Sequence, residues 1–150
     1  MEDLDNQYTA LMYAARGGFH NIVRFLHKHG AALDLQNAEG QTALHRATGR
    51  GELKTVCELL VLGADKEMQD LEGKTARDWA IEYGHYRIAE IFKIWDTPED
   101  FNRSMLEAAK DGNEILVRGL LMKGADINHS ENGETAFNHA ARLGHTAVLS

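Results

Sequence analysis

Eight histidines and one cysteine are the residues of this 150-residue chain best equipped for metal or nucleophile chemistry, and their spacing decides what they can do. The tightest group is His27-Lys28-His29 with His20 nearby. Residues two apart on a helix do not face each other, and no cysteine or spaced set of carboxylates completes a tetrahedral shell there. Cys57 falls on the apolar side of a helical stretch, where a thiol behaves as a small buried hydrophobe. No Ser/His/Asp order has local support. The glycine-rich TGRGE at 48–52 lacks the preceding strand and following lysine that a phosphate cradle requires. Neither a catalytic residue nor a metal nor a cofactor is expected.

What remains is a strongly periodic scaffold. Gln41 to Asp65, QTALHRATGRGELKTVCELLVLGAD, reads as two short helices and a turn. Thr42 is placed to cap the first helix, with Ala43, Leu44 and Ala47 inward and Gly51 ending it. The second helix sets Leu53, Val56, Cys57, Leu60 and Val61 on one side at spacings of three and four, and Gly63 ends it in the left-handed conformation. Such a pair cannot shelter its own apolar stripe, so it needs neighbours of the same kind. They recur in phase: Thr9, Thr42 and Thr75 lie 33 residues apart, as do Gly18, Gly51 and Gly84, and Gly30 and Gly63. Self-similarity at this period marks a stacked helical array.

The repeated words resemble those of the ankyrin repeat family: GQTALHRATGRGE with LLVLGAD, then GKTARDWAIEYGH, then GETAFNHAARLGH. The resemblance implies an all-α solenoid of stacked helix-turn-helix units with projecting hairpin loops. Repeats fall at about 4–36, 37–69, 70–97, 98–129 and an incomplete 130–150, which reads as a fragment of a longer protein. It also implies structural roles for His45, His85 and His145, at the family's histidine positions.

Along the chain, repeat one puts Leu11, Ala14 and Ala15 of its first helix and Ile22, Val23, Phe25 and Leu26 of its second inward. The connectors around Asn37 to Gly40 and Asp70 to Gly73 read as polar fingers, with Gly40 supplying a positive φ. Repeat three loads its second helix with Ile88, Ala89, Ile91, Phe92 and Trp95, whereas Tyr83 is expected to be exposed. Asp96-Thr97-Pro98 then breaks the pattern, and Gly84 to Gly112 spans only 28 residues, which removes a finger. A helix is predicted from Pro98 to Lys110, capped by Thr97, with Phe101, Met105 and Ala108 or Ala109 inward. In repeat five, Val148 and Leu149 stand in an unfinished second helix.

The formal net charge of −7 argues against a nucleic-acid partner, since phosphate binding requires a concentrated positive field. No apolar run approaches the ~18 residues of a membrane span, and no secretory leader is evident, so an intracellular place is expected, cytoplasmic or nuclear. A monomer is expected, and the resemblance implies that it binds another protein or peptide on a concave face of finger tips and helix ends. Carried over by position, its contacts are Asn6, Tyr8 and Arg16; Ala38, Glu39, Gln41 and Arg50; Gln69, Leu71, Glu72, Lys74, Glu82 and Tyr83; and Glu131, Asn132, Glu134, Arg142 and Leu143. It further implies Asn128 as a hydroxylation acceptor. The alternative is a structural spacer or regulatory lid for a catalytic domain beyond Ser150.

Overall fold

A computed structural model describes residues 7–144; the expectations placed on Asn6, His145, Val148 and Leu149 lie outside the described residues. Nine α-helices are found among the described residues: α1 (Ala10–Arg16), α2 (His20–Lys28), α3 (Ala43–Gly49), α4 (Leu53–Leu62), α5 (Ala76–Glu82), α6 (Tyr86–Ile94), α7 (Phe101–Lys110), α8 (Glu114–Met122) and α9 (Ala136–Leu143). A short antiparallel pair, β1 (Ser130–Glu131) and β2 (Glu134–Thr135), precedes the last helix. The chain divides into two compact units, Met1–Phe92 and Lys93–Ser150.

Four threonines start helices by the same local chemistry. The hydroxyls of Thr9, Thr42, Thr75 and Thr135 accept from the backbone N–H three residues on, so an otherwise orphaned helix donor is satisfied. In α3 and α5 the box closes, because His45 and Asp78 accept in return from the N–H of Thr42 and Thr75. Gly63 ends α4 at φ +103°, which no residue with a Cβ adopts cheaply.

In the first unit α1 packs on α3 and α3 on α5, while α2 packs on α4 and closes onto α1. Alanines at the crossing points, Ala15, Ala47 and Ala80, have no exposed surface, so the first helices approach closely. Leu11, Met12, Leu44, Val56, Leu59 and Leu60 fill the space around them. Helix α4 departs from the one-sided stripe expected of it. Every residue from Thr55 to Leu60 is buried, including Leu59 and the Glu58 carboxylate, which pairs with Arg24 of α2. Leu53 and Val61, by contrast, are only half-buried. Helix α2 corrects the reading further, since Val23 is buried but Ile22 and Phe25 are exposed and Leu26 is half-buried. Phe25 lies against His29 at 4.3 Å instead of joining the core.

In the second unit α7 packs on α8 and on α9, burying Phe101, Met105, Ala108, Ala109, Ile115 and Leu120. The helix read from Pro98 is split: Pro98–Asp100 forms a 3₁₀ turn and the α-helix begins at Phe101. Thr97 does not cap it. Its hydroxyl donates to the Lys93 carbonyl at 2.8 Å and so closes the preceding helix end. Trp95, expected in the core, is half-buried with the Lys123 ammonium 4.7 Å from its ring centre. Each unit is built mostly of packed helices, with one small two-stranded sheet in the second.

Candidate functional site

Two polar fingers of the first unit are folded by the same side-chain device, 33 residues apart. Asn37 Oδ1 accepts from the N–H groups of Glu39 at 3.0 Å and Gln41 at 2.9 Å. Asp70 Oδ1 accepts in the same way from Glu72 and Lys74, both at 2.9 Å. A short polar side chain that takes the place of a backbone acceptor fixes a tight turn at little entropic cost. The fingers are then tied to one another. The Leu71 N–H donates to the Glu39 carbonyl at 3.0 Å, and Gln36 Nε2 donates to the carbonyls of Gly40 and Gln69, each at 2.9 Å. A Cβ at Gly40 would meet the Leu71 nitrogen at 2.8 Å, so glycine is required there by the neighbouring finger as well as by its φ of +77°.

Beneath the fingers, His45 joins repeat two to repeat three. Its Nδ1 accepts from the Thr42 N–H at 3.1 Å, and its Nε2–H donates to the Lys74 carbonyl at 2.9 Å. Burial holds the imidazole below its ordinary pKa, although the Lys74 carbonyl and the charges of Asp70 and Asp78 pull the other way. The His45 ring meets Trp79 edge-on at 5.3 Å, and Trp79 meets Tyr83 likewise at 5.7 Å. The Trp79 indole N–H donates to Asp70 Oδ2 at 2.9 Å. Desolvation raises the Asp70 carboxyl, but the N–H groups of Lys74, Trp79 and Glu72 together with His45 outweigh it and hold the group below its usual range.

Above this floor lies an open groove of about 510 Å³ lined by Glu39, Gln41, Arg46, Asp70, Leu71, Glu72, Lys74, Trp79, Glu82 and Tyr83. Leu71, 78% exposed, and Tyr83, 55% exposed, are its two uncovered apolar side chains. The Lys74 ammonium bridges Glu82 at 2.9 Å and Glu72 at 3.3 Å. Hydrogen bonds to Glu82 first and Glu72 second hold it charged beyond the ordinary lysine range.

Seven of the contact residues expected from the sequence, Glu39, Gln41, Leu71, Glu72, Lys74, Glu82 and Tyr83, therefore line one groove. Gln41 is less accessible than expected. It is buried because Asn37 Nδ2 donates to its Oε1 at 3.0 Å while its own amide donates to Glu39 at 3.0 Å. Tyr8 is also buried instead of presented, held under two guanidinium groups, Arg46 at 5.4 Å and Arg16 at 5.7 Å from its ring centre. Arg50 is exposed at the end of α3 and does not line the groove, whereas Ala38 and Gln69 are exposed on the fingers. Arg46, Asp70 and Trp79 were not among the expected contacts. The recurrence of Asn37 at Asp70 across one repeat was the signal for the second of these.

The remaining expected residues belong to the second unit. Glu131, Asn132, Arg142 and Leu143 are exposed and Glu134 is half-buried. Glu134 binds Arg142 at 2.7 Å and His139 Nδ1 at 2.9 Å. Its finger differs from the other two because Ser130 stands where they have Asn or Asp. Asn132 (φ +54°) and Gly133 (φ +80°) turn the chain instead, joining two strands in which Glu131 pairs with Glu134. The Asn-Gly pair was a legible sign of that hairpin. Asn128 is exposed in the turn before β1, its N–H donating to Asp126 Oδ1 at 2.9 Å. Among the described residues no group of three or more histidine, cysteine or carboxylate side chains is placed to hold a metal ion, and no helix is long and apolar enough to cross a membrane.

Helix pairs joined by hydrogen-bonded fingers define a helical-repeat scaffold. The family is shown directly: the model described as "Ankyrin repeats (3 copies)" matches residues 1–70, the one described as "Ankyrin repeats (many copies)" matches residues 105–150, and the chain belongs to the ankyrin repeat family. Repeats of this family are generally protein–protein interaction modules and typically not catalytic. The chain is similar to a transient receptor potential cation channel subfamily A member 1 homolog of Caenorhabditis elegans, 29% identical over 99% of this chain and 13% of the channel. It is also similar to an L-asparaginase of Dirofilaria immitis, 28% identical over 88% of this chain and 23% of that protein. A third relative is the mouse diacylglycerol kinase iota, 41% identical over 67% of this chain and 10% of the kinase. The chain thus spans less than a quarter of the length of each of these relatives.

Proposed function

We propose that this chain is a non-catalytic recognition module that binds another polypeptide along the groove of its first unit, with the fingers and the ends of α3 and α5 as the contact surface. The observation that carries this reading is Leu71 and Tyr83 standing uncovered over a groove whose walls are already hydrogen-bonded to one another. A surface that is ordered before binding loses little conformational freedom on association, so modest apolar anchors suffice for affinity. The module is read as a monomer of the cytoplasm or nucleus. The test is display of randomised peptides on the 150-residue chain, with the double variant Leu71→Asp/Tyr83→Ala as counter-screen. Peptides that hold the natural chain and lose at least tenfold in affinity for the variant are expected. Equal binding to both would remove the groove from the function.

A second reading is favoured by the small share of each relative that the chain spans. In it the repeats act as a spacer or regulatory lid on another domain of a longer protein. Its mark would be an activity of the full-length protein that changes when the repeats are deleted, with no groove-dependent ligand.

A further inference from the structure

The charges of the groove are unequally committed. Both carboxylate oxygens of Asp70 are occupied by N–H donors of the finger and of Trp79, so that group is structural. Arg46 is turned toward the Tyr8 ring and donates to Gln41 Oε1 at 3.3 Å. Glu72 and Glu82, in contrast, converge on one cation, the ammonium of Lys74, and that cation comes from the chain itself. Among the described residues the Lys74 ammonium pairs with these two carboxylates alone, and the pair lies at an open rim where an ammonium or guanidinium from outside could occupy the same position. Beside it stand the exposed Leu71 and the Tyr83 ring, which offers an aromatic face to the aliphatic stem or head of a basic side chain.

We propose that the groove selects a polypeptide segment in which a lysine or arginine adjoins an apolar residue. The incoming cation displaces Lys74 from between Glu72 and Glu82, and its apolar neighbour lies on Leu71 and Tyr83. Lys74 is then an internal competitor: it neutralises the carboxylate pair while the groove is empty and lowers the affinity for the basic ligand. The chain's net charge of −7 acts in the same sense, drawing basic segments toward the surface at low salt. This inference rests on the groove being the binding site.

Lys74 gives the test a direction that a plain loss of contacts cannot imitate. Peptides from a randomised ten-residue display library are selected on the natural chain, and only those that lose binding to Leu71→Asp/Tyr83→Ala are kept. These are expected to be enriched in lysine and arginine. For an arginine-containing peptide so selected, replacing arginine by neutral citrulline should weaken binding about fivefold at low salt, and Lys74→Met should strengthen it about threefold, the scale of exposed ion pairs. Glu72→Gln/Glu82→Gln should abolish the difference between the arginine and citrulline peptides, and added salt should shrink it. Groove-dependent peptides that are neutral or acidic, or a Lys74→Met variant that binds more weakly, would overturn the basic-ligand inference and leave the groove standing as a binding site. Failure to recover any groove-dependent peptide would overturn both.

Discussion

His45 makes two opposite hydrogen bonds at once: Nδ1 accepts from the Thr42 N–H, and Nε2–H donates to the Lys74 carbonyl. Only the neutral ring can do both. Burial, which outweighs the opposing pull of the Lys74 carbonyl and of Asp70 and Asp78, holds its folded pKa below the 6.5 of the free side chain, so as pH falls past that value the unfolded chain takes up a proton that the folded chain refuses, and stability declines. Asp70 acts in a lower window with the same net sense. Its folded carboxyl titrates below 3.8, so stability that is full above that value is lost as pH drops through the folded pKa. Replacing His45→Gln should destabilise the chain by about 1–3 kcal/mol near neutral pH, because a buried two-way link between repeats is broken. It should also remove part of the loss on acidification. Urea midpoints of the two proteins measured between about pH 8 and pH 5 are expected to converge toward the acid end. Curves that stay parallel would show that the His45 proton plays no part in stability.

Helices α2 and α4 occupy equivalent places in successive repeats, yet α4 is buried on every side from Thr55 to Leu60 and α2 buries only Val23 fully. The predicted consequence is a large asymmetry in mutational sensitivity. Leu59→Ala should lower stability by about 3 kcal/mol through lost burial and a residual cavity, whereas Phe25→Ala should change it by less than about 0.5 kcal/mol. Chemical denaturation of the two variants measures both, and a Phe25→Ala cost equal to that of Leu59→Ala would contradict the packing. The same asymmetry shows what the sequence could reveal. Thr9, Thr42, Thr75 and Thr135 were readable as caps or repeat markers because a cap is settled within four residues. The Tyr83 exposure followed from its place just before Gly84, and seven groove residues followed from position within the repeat. A one-stripe pattern could not distinguish a helix covered on several sides from one covered on few. Hence Leu59 and Glu58 were missed and Ile22 and Phe25 were placed inward. Glu58 was further disguised by its charge, which is tolerated because Arg24 approaches it from the neighbouring helix. The ties between fingers, through Gln36 and Gly40, depend on two loops meeting in space and left no local mark.

An array in which each pair borrows half its core from the next gains stability by adding neighbours, and about three pairs are needed before the sum becomes favourable. Residues 7–94 hold three helix pairs, α1–α2, α3–α4 and α5–α6, together with both tied fingers and every lining residue of the groove. The second unit holds, among its described residues, the pair α7–α8 and the single helix α9. Residues 1–95, cut beyond the end of α6 so that its last turn survives, should therefore fold alone with one cooperative urea transition followed by far-ultraviolet circular dichroism. A groove-dependent peptide should bind this piece and the whole chain with affinities that agree within about twofold, since no lining residue is lost. Residues 96–150 should give a broad, non-cooperative signal. Should residues 1–95 instead lose helicity gradually, from the lowest denaturant upward, the three-pair stack would be too weak to hold the groove in shape. The preorganised surface on which recognition depends would then require helices beyond α6.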